Sequence, residues 1–317
     1  MWIPDRTLAH LRAVTDEPDF SATKYRLIEP VGRGGMAVVY RAHDVELGRD
    51  VALKVLRTHG ADPGFPARLR REAAILARLE HPGIVPVHDV GSLPDGRVWY
   101  GMKLVRGQRL DRLAEGPLES ADRLRIFQRI CETVAFAHAH GVLHRDLKPE
   151  NVMVGAFGEV LVLDWGVAKR AAQADGDVAS ANLPEAGNGG TLHGTRLGTP
   201  GWMAPEQERG ETGRIDERTD VFALGRILRY LVAPGSPPPR LRAIFERATA
   251  SEPGNRYASA EALGDDVQRY LAGLPVLAYR ESPVERIARV LHPYRAAILL
   301  VLAYLLMRVL LLLFVRS

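Results

Sequence analysis

Residues 144 to 166 read HRDLKPENVMVGAFGEVLVLDWG. Its first eight residues gather an acid, Asp146, two bases, Arg145 and Lys148, and a carboxamide, Asn151, around Pro149, whose ring forbids a continuous helix. A loop of this kind holds polar groups in the open. Transfer of a phosphoryl group needs a carboxylate to receive and orient the attacking hydroxyl, a cation near the moving phosphoryl group, and oxygen ligands for magnesium. Asp146, Lys148 and Asn151 match those three needs in turn. The run EVLVLDWG then reads as a strand ending at Asp164, a second hard oxygen ligand.

Towards the amino terminus the runs YRLIEPV, AVVYRAHD, DVALKVL and RVWYGMKLV alternate apolar and polar residues between Gly and Asp turns, the pattern of strands in one antiparallel sheet. Among them ARLRREAAILARLE puts Leu69, Ala73, Leu76 and Leu79 on one helical stripe. A strand-rich lobe with one helix is expected. Within it VGRGGMAVVY joins two strands, and Gly32, Gly34 and Gly35 let backbone N–H groups approach a polyphosphate. VALKV sets Lys54 mid-strand among apolar neighbours, where an unpaired ammonium is costly to bury. It needs anionic partners, for which Glu72 on the amphipathic helix and phosphate oxygens are candidates. After Gly107 the texture turns helical, as in ADRLRIFQRICETVAFAHAHG, whose last residue suits a helix C-cap. Residues 171 to 195 are rich in Ala, Gly and Asn and read as a long loop. Residues 1 to 24 read as a short helical extension.

Together these residues resemble a Ser/Thr protein kinase of the Hanks type, and in particular the bacterial membrane-anchored, receptor-type kinases. The glycine-rich loop, the lysine of VALK, HRDLKPEN, DWG where the family usually has DFG, and MAPE at 203 to 206 stand in the family's order between Tyr25 and Leu271. The resemblance implies an α+β, two-lobed protein kinase fold over residues 25–272, with a small lobe at 25–104 and a large lobe at 105–272. It implies ATP and Mg2+ as cofactors and proteins carrying Ser or Thr as substrates. ATP would be held by Val31, Gly32, Arg33, Gly34, Gly35, Met36, Ala37, Val38 and Val39, with Lys54 on its α and β phosphates and paired to Glu72. Val39, Ala52 and Met153 would enclose adenine, with Met102 as gatekeeper. Asp146 would be the catalytic base, Lys148 would steady the γ-phosphate, Thr199 would lie near both, and Asn151 and Asp164 would hold magnesium. Arg145 would help bind a phosphate on the activation loop, with Thr191 and Thr195 as phosphosites. Glu206 and Arg256 would form a buried ion pair, and Asp220 would brace the catalytic loop.

Composition supports two of these assignments independently. Only five of the 42 basic residues are lysine, yet lysine stands at both 54 and 148, where the planar fork of arginine cannot replace a compact ammonium at a phosphate. Three features depart from the family pattern: Ala37 in place of the third glycine, Trp165 in place of Phe, and a Pro-rich stub, Gly235 to Pro239, where the family carries a loop and a further helix. That last region often docks substrates. Ala37 and the stub are the only support for the alternative, a pseudokinase acting as a membrane-bound binding module.

The single cysteine, Cys131, permits no intramolecular disulfide, and no CxxC pattern suggests zinc. The net charge of +4 comes from scattered arginines, which argues against nucleic acid as a partner. The amino terminus lacks the basic and apolar regions of a secretory signal. From Ala296 to Val315 the chain reads AAILLVLAYLLMRVLLLLFV, the roughly 20 residues that a helix needs to cross a hydrocarbon core. Arg308 costs about 3 kcal/mol on an insertion scale, against roughly 4 to 8 returned by the apolar residues. A transmembrane helix at 296–315 is therefore expected, preceded by a juxtamembrane linker at 273–295 and followed by a tail at 316–317. Arg280, Arg286, Arg289 and Arg295 before the span, against Arg316 after it, put the kinase domain in the cytoplasm. The short tail leaves no external sensor domain, and confinement to a membrane favours self-association for autophosphorylation in trans.

Overall fold

Alternating residues in the amino-terminal part form one antiparallel sheet with strands β1 (Tyr25–Arg33), β2 (Ala37–Asp44), β3 (Arg49–Leu56), β4 (Val87–Ser92) and β5 (Val98–Lys103), in the order β1-β2-β3-β5-β4. The structure is a computed structural model and describes residues 17–34, 37–57, 65–165, 169–170, 199–233, 235–291 and 295–316. Register sorts the two faces. Val39 lies opposite Lys54, Lys54 opposite Tyr100, and Ala52 opposite Met102, so these five residues share one face. Val51, Leu53 and Val55 point the other way, into a core with Phe20, Tyr25, Ala42, Leu93 and Trp99. Trp99 meets Phe20 and Tyr25 edge-on, with ring centres 5.4 and 5.3 Å apart.

Two details of the small lobe differ from expectation. Residues 17–24 form a turn and no helix, because Phe20 is drawn under the sheet at 4% exposure; residues 1–16 lie outside the described residues. Strand β4 is not among the runs that the sequence marks. It is an edge strand that alternates between exposed and half-buried positions, and Gly91 interrupts its pattern. That glycine is needed: a Cβ there would stand 2.6 Å from the Trp99 ring.

Helix α1 (Phe65–Leu76) buries Leu69, Glu72, Ala73 and Leu76. Leu79 falls beyond its end yet remains 5% exposed. One member of this apolar stripe is a carboxylate, Glu72, and it is turned towards the strands.

The large lobe contains α2 (Leu110–Glu115), α3 (Ser120–Ala139), α4 (Pro205–Glu208), α5 (Glu217–Val232), α6 (Pro239–Ala248) and α7 (Ala260–Leu271). Phe127, Ile130 and Val134 of α3, Leu224, Ile227 and Leu228 of α5, and Leu263 and Val267 of α7 form its core. Helix α3 ends where the sequence marks it, at Gly141, whose φ of +71° a side chain would oppose. Strands β6 (Gly107–Arg109), β8 (Val152–Gly155) and β9 (Val160–Val162) make a small sheet, and β7 (Val142–Leu143) pairs with β10 (Lys169–Arg170). Val162 also donates its N–H to the Gly83 carbonyl at 2.8 Å, which ties this sheet to the chain leaving α1. The segment between α5 and α6 covers only residues 233–238, as the Pro-rich stub implies.

Beyond the lobe the expected linker contains a helix of its own, α8 (Pro283–Leu291), followed by α9 (Arg295–Arg316). Among the residues whose side chains are described, 298–308 in the case of α9, no helix is long and apolar enough to cross a membrane.

Candidate active site

Lys54 lies on β3 with its side chain between the sheet and α1. Its Nζ donates to Glu72 Oε1 at 2.9 Å and to Asp164 Oδ1 at 3.2 Å. Desolvation works against the ammonium, but the Tyr100 oxygen and the Glu72 and Asp164 carboxylates outweigh it and hold its pKa well above that of an ordinary lysine. Desolvation likewise pushes Asp164 up, and the neighbouring Lys54 more than reverses it, so this carboxyl group titrates below its ordinary range. Both groups are charged at neutral pH. Tyr100, opposite Lys54 on β5, donates its hydroxyl to the same Glu72 oxygen at 2.8 Å. Its aromatic ring lies 5.8 Å from the ammonium. The sequence does not single out Tyr100; only the strand register places it there.

The loop from His144 to Asn151 forms a second cluster. Asp146 Oδ2 accepts from Lys148 Nζ at 2.8 Å, while Oδ1 accepts from the N–H and hydroxyl of Thr199 at 3.0 and 2.9 Å. Lys148 also donates to Thr199 Oγ1 at 2.6 Å. Asn151 donates its amide to the Asp146 carbonyl at 2.9 Å, which leaves its own Oδ1 as an acceptor. Lys148 and Thr199 thus converge on one carboxylate, which Asn151 also approaches at 3.4 Å.

The frame around this loop is polar and buried. Asp220 on α5 is 1% exposed, and its two oxygens accept the backbone N–H groups of His144 and Arg145, each at 2.8 Å. His138 Nε2 bonds the same carboxylate at 2.8 Å. These bonds secure Arg145 at φ +67°, a left-handed conformation costing a non-glycine residue about 1–2 kcal/mol. Gln207 adds a bond from its amide to the Arg145 carbonyl at 2.8 Å. His144 Nε2 donates to the Leu163 carbonyl at 2.9 Å, and its Nδ1 accepts from the Asp146 N–H at 3.3 Å, which fixes a neutral tautomer. Burial, the largest influence, pushes its pKa down in agreement. Trp165 is 1% exposed, and its indole N–H donates to Val162 O at 3.0 Å. Glu206 and Arg256 form a fully buried bidentate pair at 2.7 and 2.8 Å.

Val31, Gly32 and Arg33 end β1, Gly34 follows it, and Ala37, Val38 and Val39 begin β2, with Gly34 N–H bonded to Ala37 O at 2.9 Å. A Cβ on Gly32 would meet Val39 at 3.8 Å, and one on Gly34 would meet Ala37 O at 3.4 Å, so packing within the fold does not itself demand glycine at either position. Open backbone there suits a phosphate chain. Ala52 and Met102 lie on the cleft-facing side of the sheet, and Met153 lies on β8. Gly35, Met36, Thr191 and Thr195 lie outside the described residues. For a divalent cation, no group of three His, Cys, Asp or Glu side chains comes together among the described residues. Asp164 and Asn151 supply two hard oxygens, which fits Mg2+, an ion that usually takes one or two protein ligands and completes its shell with phosphates and water.

Known proteins match this arrangement. Serine/threonine-protein kinase PknD of Chlamydia felis is 35% identical over 296 residues, spanning 80% of this chain and 31% of that protein. Serine/threonine-protein kinase PknB of Mycolicibacterium smegmatis is 35% identical over 291 residues, spanning 81% of this chain and 44% of that one. The chain thus spans less than half the length of these curated relatives. The crystal structure of the Mycobacterium tuberculosis PknI kinase domain is similar at a TM-score of 0.57 and 26% identity, covering 78% of this chain and 96% of that one. Residues 25–251 match the protein kinase domain family from β1 through α6 and the turn after it, and the chain belongs to that family.

Proposed function

We propose that the chain transfers the γ-phosphate of ATP to Ser or Thr hydroxyls of proteins. One observation carries this reading: Lys54 Nζ bonds both Glu72 and Asp164, so the helix of the small lobe, its third strand and the segment after β9 meet at one charged point. In the reaction Asp146 orients the substrate hydroxyl and receives its proton as the oxygen–phosphorus bond forms and ADP departs. Thr199 holds one Asp146 oxygen, which fixes the carboxylate plane, while the Lys148 ammonium offsets charge on the moving phosphoryl group. Asp164 and Asn151 would hold magnesium, which when bound neutralises charge on the phosphates. LKPEN and GTPGWMAPE favour Ser and Thr over Tyr, as do the names of both curated relatives. To test this, the purified full chain is incubated with Mg-ATP and its phosphorylated residues are mapped. Phosphate on Ser or Thr, absent from Lys54→Met and Asp146→Asn, is expected. Labelling no greater than that of Asp146→Asn, or phosphate on Tyr alone, would overturn the proposal.

Activation by phosphate on Thr191 or Thr195 belongs to the same reading. Arg145 Nε is buried with no hydrogen-bond partner among the described residues, and a phosphate could supply one. Helix α9 is the membrane anchor. Its 22 residues extend about 33 Å at 1.5 Å per residue, and Leu299 to Leu302 and Tyr304 to Met307 are all between 48% and 73% exposed. The arginines at 280, 286, 289 and 295 precede α9 on the side of the kinase domain, which supports a cytoplasmic kinase domain with access to ATP.

A further inference from the structure

The segment between the kinase domain and α9 is more than a tether. Val276 is 3% exposed, and the buried carboxylate of Asp266 accepts the N–H groups of Leu277 and Ala278 at 2.6 and 3.0 Å and the Tyr257 hydroxyl at 2.7 Å. Glu281 pairs with Arg240 of α6 at 3.3 Å. Helix α8 begins directly after this strap. Ser282 and Glu285 cap it reciprocally: Glu285 N–H donates to Ser282 Oγ at 3.2 Å, and Ser282 N–H to Glu285 Oε2 at 2.8 Å. Tyr279 donates its hydroxyl to Glu285 Oε1 at 2.8 Å, joining the cap to the strap.

Helix α8 is amphipathic. At about 100° per residue, Val284, Ile287 and Leu291 fall on one side and Glu285 and Arg286 on the other. Val284, Ile287 and Leu291 are 75%, 60% and 45% exposed, so this apolar side is not packed against the described residues. Two features identify what covers it. The first is continuity: only residues 292–294 separate α8 from α9, so a spanning α9 puts α8 at headgroup level. The second is charge. The acids of the segment are engaged, Glu281 with Arg240 and Glu285 in the cap, while Arg286 lies on the outward side and the sequence around it adds Arg280, Arg289 and Arg295. Such a helix matches an anionic lipid surface.

We propose that α8 lies in the interfacial plane of an anionic phospholipid membrane, apolar side inward, and holds the kinase domain against the headgroups. This rests on reading α9 as the membrane anchor. The test uses the full chain in lipid nanodiscs with brominated acyl chains, either purely zwitterionic or with added phosphatidylglycerol. An environment-sensitive fluorophore is placed on Ile287→Cys, Arg286→Cys or Leu305→Cys; the native Cys131 is buried and does not compete. In anionic discs the label at 287 is expected to shift to the blue and to be quenched, the label at 286 to remain unquenched, and the label at 305 to be quenched in both lipids. Quenching at 305 without quenching at 287 would overturn this inference alone. No quenching at 305 would overturn the anchor as well. Equal quenching at 287 in both lipids would overturn the preference for anionic lipid. A blue shift at 287 without quenching, growing with the number of copies per disc, would assign the face to self-association.

Discussion

Lys54 holds its charge where burial opposes it, and two carboxylates and a phenol oxygen resolve the conflict. Lys54→Met fills similar space without charge, so it should fold normally and lose phosphotransfer by about hundredfold or more. Cooperative unfolding together with a radiolabel transfer assay checks both halves of that expectation. Tyr100→Phe should be milder. It removes one hydrogen bond from Glu72, worth about 1 kcal/mol, and should slow turnover about fivefold while leaving Lys54 charged. An unchanged rate would reduce Tyr100 to packing. These two residues also show where the sequence is legible at this scale. A lysine among apolar strand neighbours, or an acid beside a proline that breaks a helix, announces an unusual demand. A tyrosine in a strand reads as core, and Gln207 reads as surface, until register and tertiary contact bring them to Glu72 and Arg145.

Helix α5 carries the catalytic loop on a single side chain, Asp220, and the loop's own His144 is enclosed beside it. His144 is neutral when folded, whereas unfolded it takes up a proton near pH 6.5. The unfolded state therefore binds more protons below that pH. Stability should fall as the pH drops from 7 towards 5, with His144 contributing at most about 1.4 kcal/mol per pH unit. The depressed carboxylates Asp164, Glu206 and Asp220 act lower, stabilising the fold above their ordinary values of about 4 and losing that contribution on further acidification. Urea denaturation at pH 7 and pH 5.5 measures this, and His144→Gln should shrink the difference between the two. No change in that difference would mean that His144 takes a proton within the fold. Arg256→Met tests the support beneath the loop, because it strands the buried Glu206; a loss of about 3–5 kcal/mol is expected from the same denaturation curves. Elements with strong periodicity, such as α1, α3 and the strand pairs, are legible in the sequence. Strand β4 and helix α8 are not, since one is a half-exposed edge interrupted by Gly91 and the other is a nine-residue helix beside a proline amid arginines.

The whole molecule combines a cleft whose charged groups come from both lobes with a carboxyl-terminal segment whose apolar residues face outward. If α9 holds the chain in a membrane, copies share a thin layer instead of a volume, and the effective concentration of one kinase near another rises without any new contact. Phosphorylation of one copy by another then depends on α9, whereas turnover of a soluble peptide does not. Removal of residues 296–317 is expected to give a protein that autophosphorylates slowly when dilute, with a rate that climbs with concentration, yet matches the full chain on peptide once phosphorylated. The full chain in vesicles should autophosphorylate at a rate set by its surface density and insensitive to bulk dilution. Fractionation of cells decides the premise: full-length protein released from membranes by carbonate would show α9 to be a packed helix. Retention there, combined with equal autophosphorylation by the shortened and full chains at every dilution, would show that the anchor places the kinase without activating it.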